Sequence, residues 1–440
     1  MMKMHIKQNF PRQPISKGCF LIIGERLIYY VLEKHVMFRN NCVGRLALVL
    51  CGSFLFAASE SYALAETKTF YFSNGKVQSE TTVSDGKRDG VQKVYWSNGN
   101  LQALITYRDD VKEGEEKIFW YDGYLQAYKT FKDGKLNGLV KYYSAKGCLQ
   151  ADIPYKDGKR DGMAKSYYPD GRARAEQPYK DGKREGVRCV YDKDGTLVLE
   201  QPYKDDKREG VARYYYRAES ASPKGLRREK EKKVIVFEKG QVLEEVPYKD
   251  DVRSGTVRYY YETGRVDTEE EFVNDKLNGV AKCYNSDGHL EIEAFYKDDK
   301  LEGTVKYYHD NGKVKIEEPF KNGIKDGVVR YFDDKGCLRK EVPYASDKRH
   351  GTARSYYEDG RLELEDIYVD NKHEGVSRSY HNNGQLNIVK FYRNGWVDGA
   401  WRNYYENGQI KAEGQFRKGC FEGVWRYYDE SGKITSESTY

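Results

Sequence analysis

A glycine returns every 24 residues along most of this chain, and nothing else in the sequence constrains the fold as tightly. The column runs from Gly90 to Gly210 and again from Gly255 to Gly423, fourteen members in all; its one irregular step, Gly210 to Gly255, is 24 plus 21 residues. A second column, nine residues further on, runs from Gly75 to Gly432 with the same interruption. A fixed period of this length marks stacked supersecondary units, each unable to bury its apolar face alone.

Each unit carries two turn signals. The first is Asn-Gly or Asp-Gly, as in Asn98-Gly99, Asp170-Gly171, Asn311-Gly312 and Asn407-Gly408. Such pairs accept positive φ and favour hairpin turns. The second is Lys-Asp-Gly-Lys-x-x-Gly, as in Lys156–Gly162 and Lys180–Gly186. The runs between them are rich in Tyr, Val and Phe, which suit strands. One unit therefore reads as one β-hairpin followed by a turn into the next.

The register can be tested on paper. With the repeat glycine as position zero, position three is Lys or Arg in thirteen of fourteen units, Cys189 being the exception, and position fourteen is usually acidic. A hairpin turned at Asn-Gly pairs positions summing to seventeen, so three faces fourteen. Lys141 then meets Asp152, Lys165 Glu176, Arg258 Glu269, Lys306 Glu317, Arg354 Glu365 and Arg426 Glu437. Opposite charges across strands contribute roughly 0.2–1 kcal/mol each and fix register. Position five is aromatic in all fourteen units, and a second aromatic column follows twelve residues later, as in Tyr107, Tyr155 and Phe320. Six prolines from Pro154 to Pro343 share the phase just before that second aromatic, where a strand end or bulge is expected because proline cannot donate to a ladder.

Composition agrees. Tyr accounts for 40 residues and Gly for 42, against 10 Pro, and the 39% hydrophobic content is heavily aromatic. That suits strands and tight turns better than a large aliphatic core. The formal charge of +6 is uneven: residues 1–65 hold eight basic and three acidic residues, the remainder 67 and 66. So balanced a remainder offers no long-range field for phosphates, which argues against nucleic acid as a partner.

Leu46–Ala58 is apolar and the length of a signal-peptide core, too short to serve as a stable transmembrane anchor. Arg39 and Arg45 precede it, and Ala63-Leu64-Ala65 suits signal peptidase. Residues 37–65 are expected to be a signal peptide, and the protein to be exported to the periplasm, outer surface or medium. Residues 1–36 read as non-native sequence from an early start or as an extended N-region. Residues 66–216 and 238–440 form two repeat blocks, separated by a charged insertion at 217–237 expected to be a flexible loop. Five cysteines follow the signal (Cys148, Cys189, Cys283, Cys337 and Cys420), too sparse and odd a set for a disulfide framework, and free thiols are expected.

These residues resemble the bacterial variant of MORN repeats, whose members include antitoxin-like repeat proteins. Tyr307–Val314 fits the aromatic strand and Asn-Gly turn of that pattern, and Tyr179–Gly186 its Gly-Lys-x-x-Gly turn. The resemblance spans about residues 68–440 and implies a scaffold for protein, and sometimes lipid, contacts. The chain departs from the pattern in carrying Asp or Asn at second-turn glycines (Asp110, Asp206, Asp251, Asp275, Asp299, Asp347, Asn371), which is expected to reshape those turns.

Catalytic, cofactor-binding and metal residues are not expected. His289, His309, His350, His373 and His381 lack partners at metal spacing, and His309 and His381 read as aromatic-column variants. Trp falls only near the two ends, at Trp96, Trp120, Trp396, Trp401 and Trp425. These read either as end caps or as a binding surface, since flat aromatics stack on sugars and proteins. The expectation is an all-β, elongated, single-layer twisted array of about 14–15 antiparallel hairpins, non-enzymatic, binding protein partners. The alternative is a cell-wall polysaccharide binder using its aromatic columns.

Overall fold

The computed structural model describes residues 65–216 and 240–440. Residues 1–36, all but the end of the signal segment 37–65, and the insertion 217–237 lie outside the described residues. Contacts divide the chain into two compact units, one ending at Arg184 and taking in Lys193–Gly195, the other comprising Glu185–Asp192 and Thr196–Tyr440. The first unit holds five hairpins, from Glu66–Tyr71 with Val77–Ser84 to Gly162–Tyr167 with Ala173–Lys180. The second holds ten, from Gly186–Tyr191 with Leu197–Lys204 to Cys420–Tyr428 with Ile434–Thr439. Five plus ten hairpins match the fourteen to fifteen expected from the glycine columns. Both units are open antiparallel sheets without helices among the described residues, so no helix there is long and apolar enough to cross a membrane.

The paper register holds through most of each hairpin. Lys141 pairs with Asp152, Lys165 with Glu176, Arg258 with Glu269 and Arg354 with Glu365. It then slips by one residue between positions four and five, so that Tyr143 pairs with Leu149. This bulge accommodates the turn. The position-six N–H donates to the position-ten carbonyl, Trp96 to Asn100 at 2.8 Å, and Gly99 N–H returns to Trp96 at 2.8 Å. Only the glycine takes positive φ, 99° at Gly99. Asn98 serves through its carboxamide oxygen, which accepts the Asn100 N–H at 2.9 Å. The second turn is the two-residue kind: Lys156 pairs with Lys159 across Asp157 at φ 50° and Gly158 at φ 83°.

Asp or Asn in the second place does not reshape that turn, contrary to the expectation from sequence. Asp110, Asp251, Asp275 and Asn371 sit at φ 67°, 71°, 65° and 69°, in the same left-handed region as the glycines. The side chain offsets the strain by bonding to the previous repeat. Asp275 Oδ1 accepts the Arg253 backbone N–H at 2.9 Å and its Nε–H at 3.1 Å, while Asp275 N–H donates to Arg253 O at 3.0 Å.

The insertion follows Tyr216, whose N–H donates to Gln241 O at 2.9 Å, the bond that closes every other hairpin turn. Gly210–Tyr215 pairs with Val242–Lys249, so the strands flanking the insertion are two halves of one hairpin.

The prolines lie where a bulge was expected. In some repeats without proline, the ladder to the next repeat slips across this position, as between Glu270 and Phe272, whereas in those with Thr130, Phe295 and Ile367 it is interrupted there. In proline repeats the ladder is likewise interrupted there, and the Pro154 carbonyl accepts Asp161 N–H at 3.0 Å. The repeat glycine is required by the same neighbour: Gly255 has φ +117°, and a Cβ there would meet Pro247 Cγ at 3.1 Å.

Small apolar side chains fill one face at position two and around it. Val140, Val257, Val329 and Ala212 are fully buried. Ala212, Val246, Val257 and Phe272 form one cluster, with Tyr214, Tyr248, Tyr259 and Leu277 packed against it. Glu116 replaces the usual apolar residue in the first unit and is buried too, bonded to Lys112 and, at 2.9 Å, to Lys129. Burial opposes its charge, but those two ammonium groups hold its carboxyl below the ordinary value.

Candidate binding surface

Three sets of side chains tie successive repeats together, and what they leave uncovered is the surface open to partners. On the face opposite the small apolar residues, the position-fourteen carboxylate lies between its own strand partner and the next repeat. Arg354 Nε donates to Glu365 at 2.9 Å, and Tyr260 OH donates to Glu245 at 2.8 Å. Tyr95, Tyr167, Tyr215, Tyr356 and Tyr428 repeat the tyrosine bond to the preceding repeat at 2.7–3.0 Å. For Glu245, burial works against the charge, yet bonds from Arg213 and Tyr260 keep its carboxyl below the usual range. Burial first, then the bond to Glu245, pushes the Tyr260 phenol up to about 12.

On the apolar face, where the residue two before the repeat glycine is cationic, it stacks on the second aromatic column in several repeats. Arg208 lies over the Tyr248 ring at 4.0 Å, Arg253 over Phe272 at 4.1 Å and Arg349 over Tyr368 at 4.3 Å. His373 takes this place between Tyr368 and Tyr392, with ring centroids 4.2 and 4.6 Å away.

At the hairpin turns, position six crosses to the next repeat's carbonyl. Tyr261 OH donates to Tyr284 O at 2.6 Å, and the Nε2–H groups of His309 and His381 donate to Phe332 O and Tyr404 O at 3.1 and 2.9 Å. The two histidines thus occupy the aromatic column, as their phase suggested.

The tryptophans fall into different environments. Trp96 and Trp120 hold position six in the first unit; Trp96 Nε1–H donates to Phe119 O at 3.3 Å, and its ring lies 5.8 Å from Tyr121. In the second unit, Trp425 is only 2% exposed, packed 5.2 Å from Trp401 and from Phe416 and 4.6 Å from Phe421. Its ring is closed to a ligand. Trp396, 61% exposed beside a second turn, is open.

Sequence reasoning did not single out position one as a surface. Val91, Leu139 and Met163 in the first unit, and Val187, Val211 and Val424 in the second, are exposed there. Leu139 pairs with Pro154, Met163 with Pro178 and Val187 with Pro202, so each unit carries an apolar file beside the Arg–Glu–Tyr network. The alternation of the strands contained that signal: position one shares a face with positions three and five.

Folding units, register and cross-repeat bonds define a β-hairpin repeat protein. The chain belongs to the MORN-repeat family, matching the MORN repeat variant model at nine stretches: 88–109, 160–181, 184–205, 277–298, 301–322, 349–370, 374–394, 397–418 and 421–440. No curated protein matches it. Among solved structures it is similar to a chain of the TcdB2-TccC3-Cdc42 structure, at 10% identity and a TM-score of 0.14, covering 82% of this chain and 23% of that one. It is also similar to a chain of TcdB2-TccC3, at 11% identity and a TM-score of 0.15, covering 84% and 20%. This chain therefore spans less than a quarter of the length of those chains, and at such TM-scores the likeness carries no functional argument.

Proposed function

We propose that this protein is an exported, non-enzymatic scaffold that binds other proteins along its repeats. One observation carries the reading: the exposed apolar file at position one, bordered by charged side chains already bonded to one another. Apolar area beside satisfied charges favours protein contacts, because burying it does not strand an unpaired ion. Export rests on the signal-like segment Met37–Ala65 and bacterial origin on the resemblance to the bacterial repeat variant.

Fractionation of cells expressing the full chain, followed by crosslinking and mass spectrometry, tests both parts. The expected result is an exported protein crosslinked to one or a few proteins through lysines bordering the file. Val187→Glu with Val211→Glu should leave the circular dichroism unchanged and remove those crosslinks. A protein confined to the cytoplasm, or crosslinks indifferent to the double variant, would contradict the proposal.

A second reading is favoured by the exposed aromatics Trp396, Phe421 and Tyr440 in the last repeats. Phe421 and Tyr440 stack at 4.9 Å. Such faces suit the pyranose rings of a cell-wall polysaccharide. Retention on purified peptidoglycan, lost on Trp396→Ala, would select this reading over the first.

A further inference from the structure

In several repeats the hairpin turn is bridged to the next by side chains at positions six, eight and ten, and at the turn Asp333–Cys337 none of the three bridges is made. The junction before it is complete: His309 Nε2–H donates to Phe332 O at 3.1 Å, Asn311 Nδ2–H to Asp334 O at 2.7 Å and Lys313 Nζ–H to Lys335 O at 2.8 Å. At the junction after it, Tyr357 OH donates to Tyr380 O at 2.6 Å and the Arg361 guanidinium donates to Asn382 O. Between them the corresponding residues are Asp333, Lys335 and Cys337. Asp333 folds back on its own turn, accepting the Cys337 and Lys335 N–H groups at 2.8 and 3.0 Å and pairing with Arg339. Cys337 is too short to cross.

What remains is an open cleft of about 290 Å³ lined by Cys337, Leu338, Tyr356, Glu358, Asp359 and Gly360. Among the described residues, no side chain of the preceding turn donates to the backbone carbonyls of Tyr356, Glu358 or Asp359. The rim adds two carboxylates, one of which, Asp359, lies 3.3 Å from Arg361 Nε.

We infer that this cleft is a recognition site for a cationic side chain, arginine or lysine, presented by a protein partner. The chain itself shows what the place accepts. At position ten, Lys76, Arg172, Arg265 and Lys313 reach the following turn and donate to a carbonyl at 2.7–3.1 Å. Where Cys337 stands, the acceptors persist and the donor is missing. Carbonyl and carboxylate oxygens strengthen hydrogen bonds from a charged donor over those from a neutral one. The open cleft implies weak binding of a lone residue, strengthened when a partner also covers the apolar file. The source of the side chain rests on the scaffold reading; the selectivity of the cleft does not.

Cys337 is exposed and can report occupancy. In the full chain with Cys337 as its single cysteine, its modification by a neutral maleimide should slow about tenfold with the tripeptide Ac-Gly-Arg-Gly-amide at about ten times its dissociation constant. The lysine peptide should protect likewise, and the citrulline peptide, isosteric but neutral, should not. Cys337→Lys should melt above Cys337→Ser, because its own ammonium fills the cleft. Equal protection by citrulline, no protection by either cation, or no gain for Cys337→Lys would overturn the assignment. Protection by spermidine but by neither peptide would also overturn it, in favour of a small polyamine. Cation-selective protection without any protein crosslink would sink the scaffold reading alone; crosslinks without protection would sink the cleft alone.

Discussion

At the scale of single residues, the shared tyrosine–carboxylate bond makes a definite pH prediction. Tyr167, Tyr215 and Tyr260 are raised to about 12, first by burial and then by bonds to carboxylates. A raised phenol contributes stability that is complete below its unfolded value near 10 and is lost as pH climbs through about 12. Glu245, the partner of Tyr260, and Glu413, the partner of Tyr428, act oppositely: both are held below 4.5, so their contribution is complete above that value and lost as pH falls. Tyr260→Phe should flatten the alkaline loss, and Glu245→Gln the acid loss, each read from urea midpoints across the respective range. A Tyr260→Phe protein whose midpoint falls as steeply as the parent's above pH 10 would remove the bond from the account. The turn aspartates give a second test. Asp275 occupies φ 65° and caps Arg253, so glycine there relieves strain and loses the cap, whereas alanine loses the cap and keeps the strain. Asp275→Ala should be the less stable by about 1 kcal/mol, measured by chemical denaturation.

At the scale of the hairpin, the opposing columns of charge made the register legible before any coordinates. Arg258 and Glu269 lie opposite each other because two columns with indices summing to seventeen permit no other pairing. The one-residue slip at Tyr95 was not legible, since an Asn-Gly pair such as Asn98-Gly99 is compatible with both a two-residue and a longer turn. The fate of the turn aspartates was hidden for a different reason: the group that stabilises Asp275 is Arg253, 22 residues away in the preceding repeat. Among the tryptophans, phase does separate buried Trp425, at position two with Val140 and Val257, from exposed Trp396, three residues before Gly399, but the burial of position two was not itself read from the sequence. The repeat glycine shows how strongly neighbours dictate an element. Gly255→Ala places a methyl group against Pro247 at positive φ, a double conflict that should cost about 2 kcal/mol or more, while Gly264→Ala, with open space around it, should carry the backbone strain alone and cost less. Equal losses in urea denaturation would mean that the Pro247 contact is immaterial.

At the scale of the whole molecule, stability in such a chain is a sum of repeat terms and nearest-neighbour junctions, so damage should stay local. The last repeats of the second unit offer the clearest case. Trp425 stands where interior repeats place Val or Ala, and it fits because the preceding repeat supplies Gly414, at which a Cβ would lie 2.2 Å from the indole ring. Its Nε1–H donates to Gln415 O at 3.2 Å, and Trp401, Phe416 and Phe421 surround it. Trp425→Ala removes the centre of this cluster and should cost about 3–5 kcal/mol at that junction. Gly414→Ala attacks the same contact from the other side by overpacking. Both should raise amide exchange across Trp396–Tyr404, Ile410–Arg417 and Cys420–Tyr428 and leave the core around Val257 protected, since no side chain of that cluster touches it. Combining the two changes should cost less than their sum, because alanine at position 425 vacates the space that the Gly414 methyl group needs. Exchange that instead rises uniformly from Gly186 to Tyr440 would show that the repeats unfold as one cooperative block, and the nearest-neighbour description would have to be abandoned for this unit.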